Sequence, residues 1–174
     1  MGIGLQPAAW HDVYSVVATA AAALLGLFFV AISLHLDDVE RNPSLRMRAR
    51  NSFTALVLIL TLSLAVLVPG QSIAILGAEW LVVMVVYYTL LAIGVWRVHR
   101  TGGRFRRQIW IRLIVQNLIP VLPVATGISL ILGEGPGLFL QIPAILLTIP
   151  TISFNAWSVV FAPELRERDR SGGR

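Results

Sequence analysis

The sequence predicts an all-α fold: a polytopic integral membrane bundle of five transmembrane helices, with the N-terminus outside and the C-terminus in the cytoplasm. Of the 174 residues, 56% are hydrophobic and only 13% are charged, about half the charged share of a soluble domain. The mean hydropathy is +0.77. The charges also leave five long gaps, and every basic side chain lies between or beyond those gaps. These observations exclude a disordered protein and argue against a water-soluble one.

The five charge-free gaps predict the helices. They are 17 to 29 residues long and cover residues 13–36, 51–78, 80–96, 113–133 and 135–163. An α-helix rises about 1.5 Å per residue, so about 20 residues cross a hydrocarbon core of about 30 Å. The gaps are apolar nearly all round, unlike the helices of a soluble protein, and they lack the alternation of a membrane β-strand. Each gap therefore predicts one transmembrane helix.

Turn-forming residues separate the predicted helices. They stand at Asn42-Pro43-Ser44, Pro69-Gly70, Thr101-Gly102-Gly103 and residues 133–137, and Pro163 follows the last gap. We expect one transmembrane helical domain over residues 1–162, with helices at about 13–36, 52–69, 78–98, 109–132 and 138–162. The third helix is flanked by Trp80 and Trp96, which suit the membrane interface. Residues 163–174 are expected to form a cytoplasmic, Arg-rich tail.

The distribution of arginine predicts the orientation. All 14 basic residues are Arg, and they fall in the first loop, around the third loop and in the tail. The segment before the first helix, the second loop and the fourth loop contain none; they carry Asp12, Glu79 and Glu134 instead. Basic loops remain in the cytoplasm, so the first group of segments is predicted to be inside. We expect an integral protein of the bacterial cytoplasmic (inner) membrane.

The residue types that are missing exclude several chemistries. The chain has no Cys and no Lys, which excludes thiolate metal sites, thiol nucleophiles and Schiff bases. No charged residue falls in the middle of a predicted span, whereas coupled transporters usually keep such residues there. The HExxH and GxSxG motifs of metalloproteases and serine hydrolases are also missing. We expect no catalytic residue, no cofactor and no metal site, and we do not expect an enzyme.

The first predicted helix carries a row of small residues, Ala18, Ala22 and Gly26, with a neighbouring row of Ser15, Thr19 and Ala23. Small residues four apart allow the backbones of two helices in lipid to approach closely. The row Ala18, Ala22 and Gly26 is therefore a candidate helix interface. Packing within one subunit and contact with another subunit both remain open at this point.

Polar residues and prolines occur together on the last two predicted helices. They are candidates for polar helix contacts or for lining a pathway: Gln116, Asn117, Pro120, Pro123, Thr148, Thr151 and Asn155. A proline within a helix leaves a carbonyl without its usual partner and kinks the helix. In lipid that carbonyl must face protein or a water-filled cavity. The amides can also simply hydrogen-bond between helices.

The third loop is the most basic segment. Its candidate contacts to anionic lipid head groups on the cytoplasmic side are Arg97, Arg100, Arg104, Arg106 and Arg107. The loop is short and held at the membrane, so nucleic acid is not an expected partner. The expected partners are the lipid bilayer and either further copies of the chain or another membrane protein.

The sequence thus predicts a non-catalytic polytopic membrane protein that acts through helix–helix association. It would serve as an oligomer or as an accessory or modulator subunit of a membrane complex. The alternative is an oligomeric passive channel for ions or small solutes, lined by the Pro-kinked fourth and fifth helices.

Overall fold

The computed structural model describes residues 2–100 and 121–154, and within these ranges all regular structure is helical. Two short 3-10 turns, Ile3–Leu5 and Pro7–Trp10, lead into the first helix. The helices are α1 (His11–Leu34), α2 (Leu36–Arg41), α3 (Pro43–Val66), α4 (Ile73–Arg100) and α5 (Val121–Leu132). A further 3-10 turn, Gly137–Leu140, leads into α6, which is described over residues 141–154.

Four helical segments are long and apolar enough to cross a membrane: Pro7–Leu34, Leu45–Val66, Ile73–Ile93 and Gly137–Phe154. They correspond to the first, second, third and fifth predicted helices, so a helical bundle compatible with a membrane protein is confirmed. The shorter α5 overlaps the fourth predicted helix, whose residues 109–120 lie outside the described ranges. The tail at 163–174 also lies outside them. Five spans and the orientation remain predictions.

The helix α3 begins at Pro43, well before the expected start near residue 52. Its first turns, which carry the basic residues, are helical as well. Proline suits the first position of a helix, where its fixed φ is favourable and no N–H is needed. The preceding short helix α2 was not expected at all. Arg46 donates a hydrogen bond to the carbonyl of Glu40, and Val39 and Leu45 are buried in the same cluster. These contacts hold the corner between α2 and α3.

The helices α1, α3 and α6 share one apolar cluster. Ala21 and Phe28 of α1 are buried there with Leu56 of α3 and Ile152 of α6. A second cluster includes Tyr14, Leu62, Trp80, Leu130 and Leu138, and so joins α1, α3, α4, α5 and the turn before α6. These two clusters form the core of the bundle in the described part of the chain.

The helices α4 and α5 approach each other closely at a pair of glycines. A Cβ atom added to Gly77 would lie 2.8 Å from the carbonyl oxygen of Gly127, and one added to Gly127 would lie 2.9 Å from Leu81 Cδ2. At Gly77 the close atom belongs to the backbone, so there is no room for a side chain, whereas at Gly127 the Leu81 side chain would have to move. The two glycines therefore set the separation of α4 and α5.

Three segments meet at one end of the bundle, which we call the N-terminal end: residues 2–10, the turn at 67–72 and the turn at 133–137. A Cβ on Gly4 would overlap the carbonyl of Pro136, and Gly137 has a φ of +54° that favours glycine. Trp10 packs edge-on against Phe139, with ring centroids 4.6 Å apart. His11 Nε2 lies 3.2 Å from the carbonyl oxygen of Leu67. The two turns and the N-terminus therefore share one end.

The turn after α5 is organised by Ser129. Its hydroxyl donates to the carbonyl of Glu134 and accepts a hydrogen bond of 3.0 Å from the backbone N–H of Gly137. The side chain is buried, so both bonds are protected from water. Ser129 thus connects the end of α5 to the turn that precedes α6.

The glycine pair generates a stability prediction. Gly77→Ala should destabilise the protein by about 1–3 kcal/mol, because the new methyl group meets backbone that cannot move aside. The matched control is Gly26→Ala, since nothing lies within 4 Å of a Cβ at Gly26. That control should be neutral or stabilise α1 by up to about 1 kcal/mol. The measurement is thermal unfolding of both variants in the same detergent; equal effects would contradict the close approach of α4 and α5.

Candidate functional site

The most exposed surface of the bundle is one side of α1. In the most apolar part of the segment that contains α1, 17% of the residues are buried. The corresponding share for the segment that contains α3 is 39%. α1 packs on α3 along one side only, and its other side carries large apolar side chains that no described residue covers.

Small residues lie in the middle of this exposed side. Ser15, Thr19, Ala22, Ala23 and Gly26 are all exposed, and we call them the α1 small-residue face. Helical steps of three and four place them along one line on the helix. Around Gly26 the space is open, because a Cβ there would meet no atom within 4 Å. Within residues 2–100 and 121–154, no other segment therefore occupies the space at Gly26.

The structure divides the row that the sequence predicted. Ala18 is buried inside the bundle, whereas Ala22 and Gly26 point outwards. Ala18 and the fully buried Ala21 thus serve packing within the chain, and the two later members of the row belong to the α1 small-residue face. Ala18 therefore packs within one subunit, and contact of Ala22 and Gly26 with another subunit remains a prediction.

The α1 small-residue face is bordered by larger side chains, and one of its two hydroxyls is hydrogen-bonded within the helix. At about 100° per residue, Phe29 lies on one side of the face, and Val16 and Leu27 lie on the other; all three are exposed. Thr19 donates a hydrogen bond of 2.9 Å to the carbonyl of Ser15. The face is therefore a shallow apolar depression between larger side chains, which suits an apolar helix in lipid.

The candidate pathway residues within the described ranges all have local roles. Pro123 is buried, on the same helix as Gly127, which meets α4. Thr148 and Thr151 donate hydrogen bonds of 2.6 Å and 2.7 Å to the carbonyls of Ala144 and Leu147 in their own helix. The other members, Gln116, Asn117, Pro120 and Asn155, lie outside the described ranges. A pathway along these helices remains a prediction.

The candidate lipid contacts of the third loop are mostly outside the described ranges. Arg97 and Arg100 lie on the last turns of α4, and their side chains are not described. Arg104, Arg106 and Arg107 lie in the segment between α4 and α5 that the structure does not describe. Their role toward head groups remains a prediction.

A buried polar group near the N-terminal end was missed by the sequence analysis. Trp80, expected at the membrane interface, is 0% exposed, and Tyr14 is 1% exposed; their ring centroids lie 6.4 Å apart in an edge-on arrangement. The Tyr14 hydroxyl, Trp80 Nε1 and Gln141 Oε1 are buried without a hydrogen-bond partner. Gln141 belongs to the polar stripe of the fifth predicted helix, with Thr148 and Thr151, but the sequence did not predict its burial or that of Tyr14 and Trp80.

The unpartnered hydroxyl of Tyr14 generates a prediction that distinguishes packing from ligand binding. Tyr14→Phe removes only this hydroxyl, so the unfolding temperature should stay the same or rise. The gain in the free energy of unfolding should not exceed about 1–3 kcal/mol, the cost of burying an unpaired polar group. Tyr14→Ala should instead destabilise by about 3–5 kcal/mol, because it leaves a cavity. Thermal unfolding of both variants measures this. A clear decrease for Tyr14→Phe would show that the hydroxyl binds water or another polar molecule.

Comparison with protein-family models, with curated proteins and with solved structures finds no match for this chain. The inference about function therefore depends on the residues described above. Among them, the α1 small-residue face is the surface whose shape and composition point most directly to a binding partner.

Proposed function

We propose that this chain is a non-catalytic membrane protein that acts by helix–helix association, as an oligomer or as an accessory or modulator subunit of a membrane complex. The observation that carries this proposal is the exposed α1 small-residue face, with open space around Gly26. We commit to self-association as the form to be tested first, because it needs no component other than the chain.

The physics of association in lipid supports this proposal. Lipid tails are as apolar as the side chains they replace, so helices gain little by merely hiding apolar surface from lipid. They gain from close backbone contact, which small residues permit. The chain itself shows the effect at Gly77 and Gly127, where two glycines let α4 and α5 meet. A second helix against Gly26 would make a contact of the same kind.

The topology that accompanies this function is five spans with the N-terminus outside, in a bacterial cytoplasmic membrane. Two observations support it. The N-terminal segment meets the turns at 67–72 and 133–137 at one end of the bundle, as helices that run alternately in opposite directions require. The basic residues lie in the remaining connections and the tail, and the positive-inside rule assigns those to the cytoplasm.

Association is tested by labelling two pools of the protein with donor and acceptor dyes and measuring energy transfer in liposomes of increasing lipid content. The wild-type chain should show transfer that persists on dilution in lipid. Gly26→Leu should abolish most of it, because the larger side chain prevents close approach. The matched control is Ala78→Leu, at an exposed alanine on α4, which should retain the transfer.

Three outcomes would overturn self-association through this face. They are a wild-type chain that shows no transfer, a Gly26→Leu variant that associates normally, and a control that fails equally. Solute flux through the purified protein in liposomes, reduced when Asn117 and Asn155 are replaced by Leu, would support the channel alternative instead.

The topology has a direct test, because the chain contains no native Cys. Single cysteines at Pro69 and Glu134, both exposed at the N-terminal end of the bundle, should react with a membrane-impermeant maleimide added to intact cells. A cysteine at Gly102 should react only after the membrane is permeabilised. Labelling of all three positions in intact cells would contradict the proposed orientation.

A further inference from the structure

One exposed side of α3 combines a basic end with an apolar continuation. Arg46 and Arg50 are both exposed, and they lie four residues apart on the first turns of the helix. The same helical line continues through Phe53, Val57 and Leu64, which are also exposed. We call these five residues the α3 lipid-facing stripe. No described residue covers it.

The position of the stripe along the membrane normal places its arginines beside the head groups. The helix rises about 24 Å from Arg50 to its end at Val66, at about 1.5 Å per residue. If Val66 lies at the opposite boundary of a hydrocarbon core of about 30 Å, Arg50 lies about 6 Å inside the nearer boundary. A charge at that depth is unfavourable unless the side chain reaches the phosphate layer or pairs with an anion.

The arrangement of the two guanidinium groups favours an anion between them. Like charges four residues apart on a helix repel each other. Arg46 is held at the α2–α3 corner by its hydrogen bond to the carbonyl of Glu40, and a guanidinium has five N–H donors, so others remain for a ligand. Guanidinium groups bind phosphate oxygens through pairs of parallel hydrogen bonds.

We propose that the α3 lipid-facing stripe is a binding site for one anionic phospholipid, with its phosphate at Arg46 and Arg50 and an acyl chain along Phe53, Val57 and Leu64. The apolar side chains of the stripe favour a phospholipid over free phosphate, because free phosphate has no acyl chain to contact them. From Arg50 to Leu64 the helix rises about 21 Å, enough to follow an acyl chain through one leaflet of about 15 Å. This site is separate from the α1 small-residue face and from the third-loop arginines.

The test measures phosphatidylglycerol bound to the purified full chain by native mass spectrometry, after reconstitution in mixed phosphatidylglycerol and phosphatidylcholine. The wild-type chain should retain phosphatidylglycerol in preference to phosphatidylcholine. Each Arg near the surface contributes enough attraction for about a fivefold change. Arg50→Gln should therefore weaken retention about fivefold, and Arg46→Gln/Arg50→Gln about 25-fold.

The charge-matched control is Arg166→Gln/Arg168→Gln in the predicted tail, which removes the same charge without changing the α3 lipid-facing stripe and should leave retention unchanged. Arg50→Gln keeps the Arg46–Glu40 hydrogen bond, so an unchanged unfolding temperature in pure phosphatidylcholine separates lipid binding from folding. Phe53→Ala should weaken retention without changing the charge, and millimolar inorganic phosphate should not displace the lipid. Equal losses in the control, no preference for phosphatidylglycerol, or displacement by phosphate would each overturn the site.

Discussion

The close approach of α4 and α5 at Gly77 and Gly127 is the constraint on which the rest of the bundle depends. In lipid, backbone contact contributes more to helix packing than the burial of apolar area. By fixing α5 against α4, the glycine pair also sets the position of Ser129, whose hydroxyl holds the following turn. That turn receives the N-terminal segment at Gly4. One contact between two helices thus determines how the N-terminal end of the bundle closes.

The same constraint explains why α1 has a free side. In the bundle, α1 packs against α3, against Trp80 of α4 through Tyr14, and against Ile152 of α6. All of these lie on the side of Ala18, Ala21 and Phe28. Since α4 and α5 already satisfy each other, neither contributes a surface for the opposite side of α1. The α1 small-residue face is therefore a product of the packing of the whole bundle.

Charge placement predicted the four long apolar helices of the described residues and their order, because a charge is costly in hydrocarbon. It did not predict where helices begin, since a helix continues through the head-group layer wherever its backbone can be hydrogen-bonded. The basic first turns of α3 therefore belong to the helix that starts at Pro43. The charge-free gap that begins at residue 51 therefore did not predict the first residue of this helix.

Hydropathy could not predict which side of each helix faces inwards. On α4, Met84 is buried while Val82 and Val85 are exposed, although all three are apolar and each suits lipid as well as protein. Small residues carry more information, because they lose little contact with lipid and permit close approach. Even so, Gly77 and Gly127 were not evident as a pair, since the residues four positions later, Leu81 and Ile131, are large. Only the fold shows that these glycines face each other and that Gly26 faces outwards. The proposed association therefore depends on a glycine that is open in the described structure and whose role hydropathy alone could not indicate.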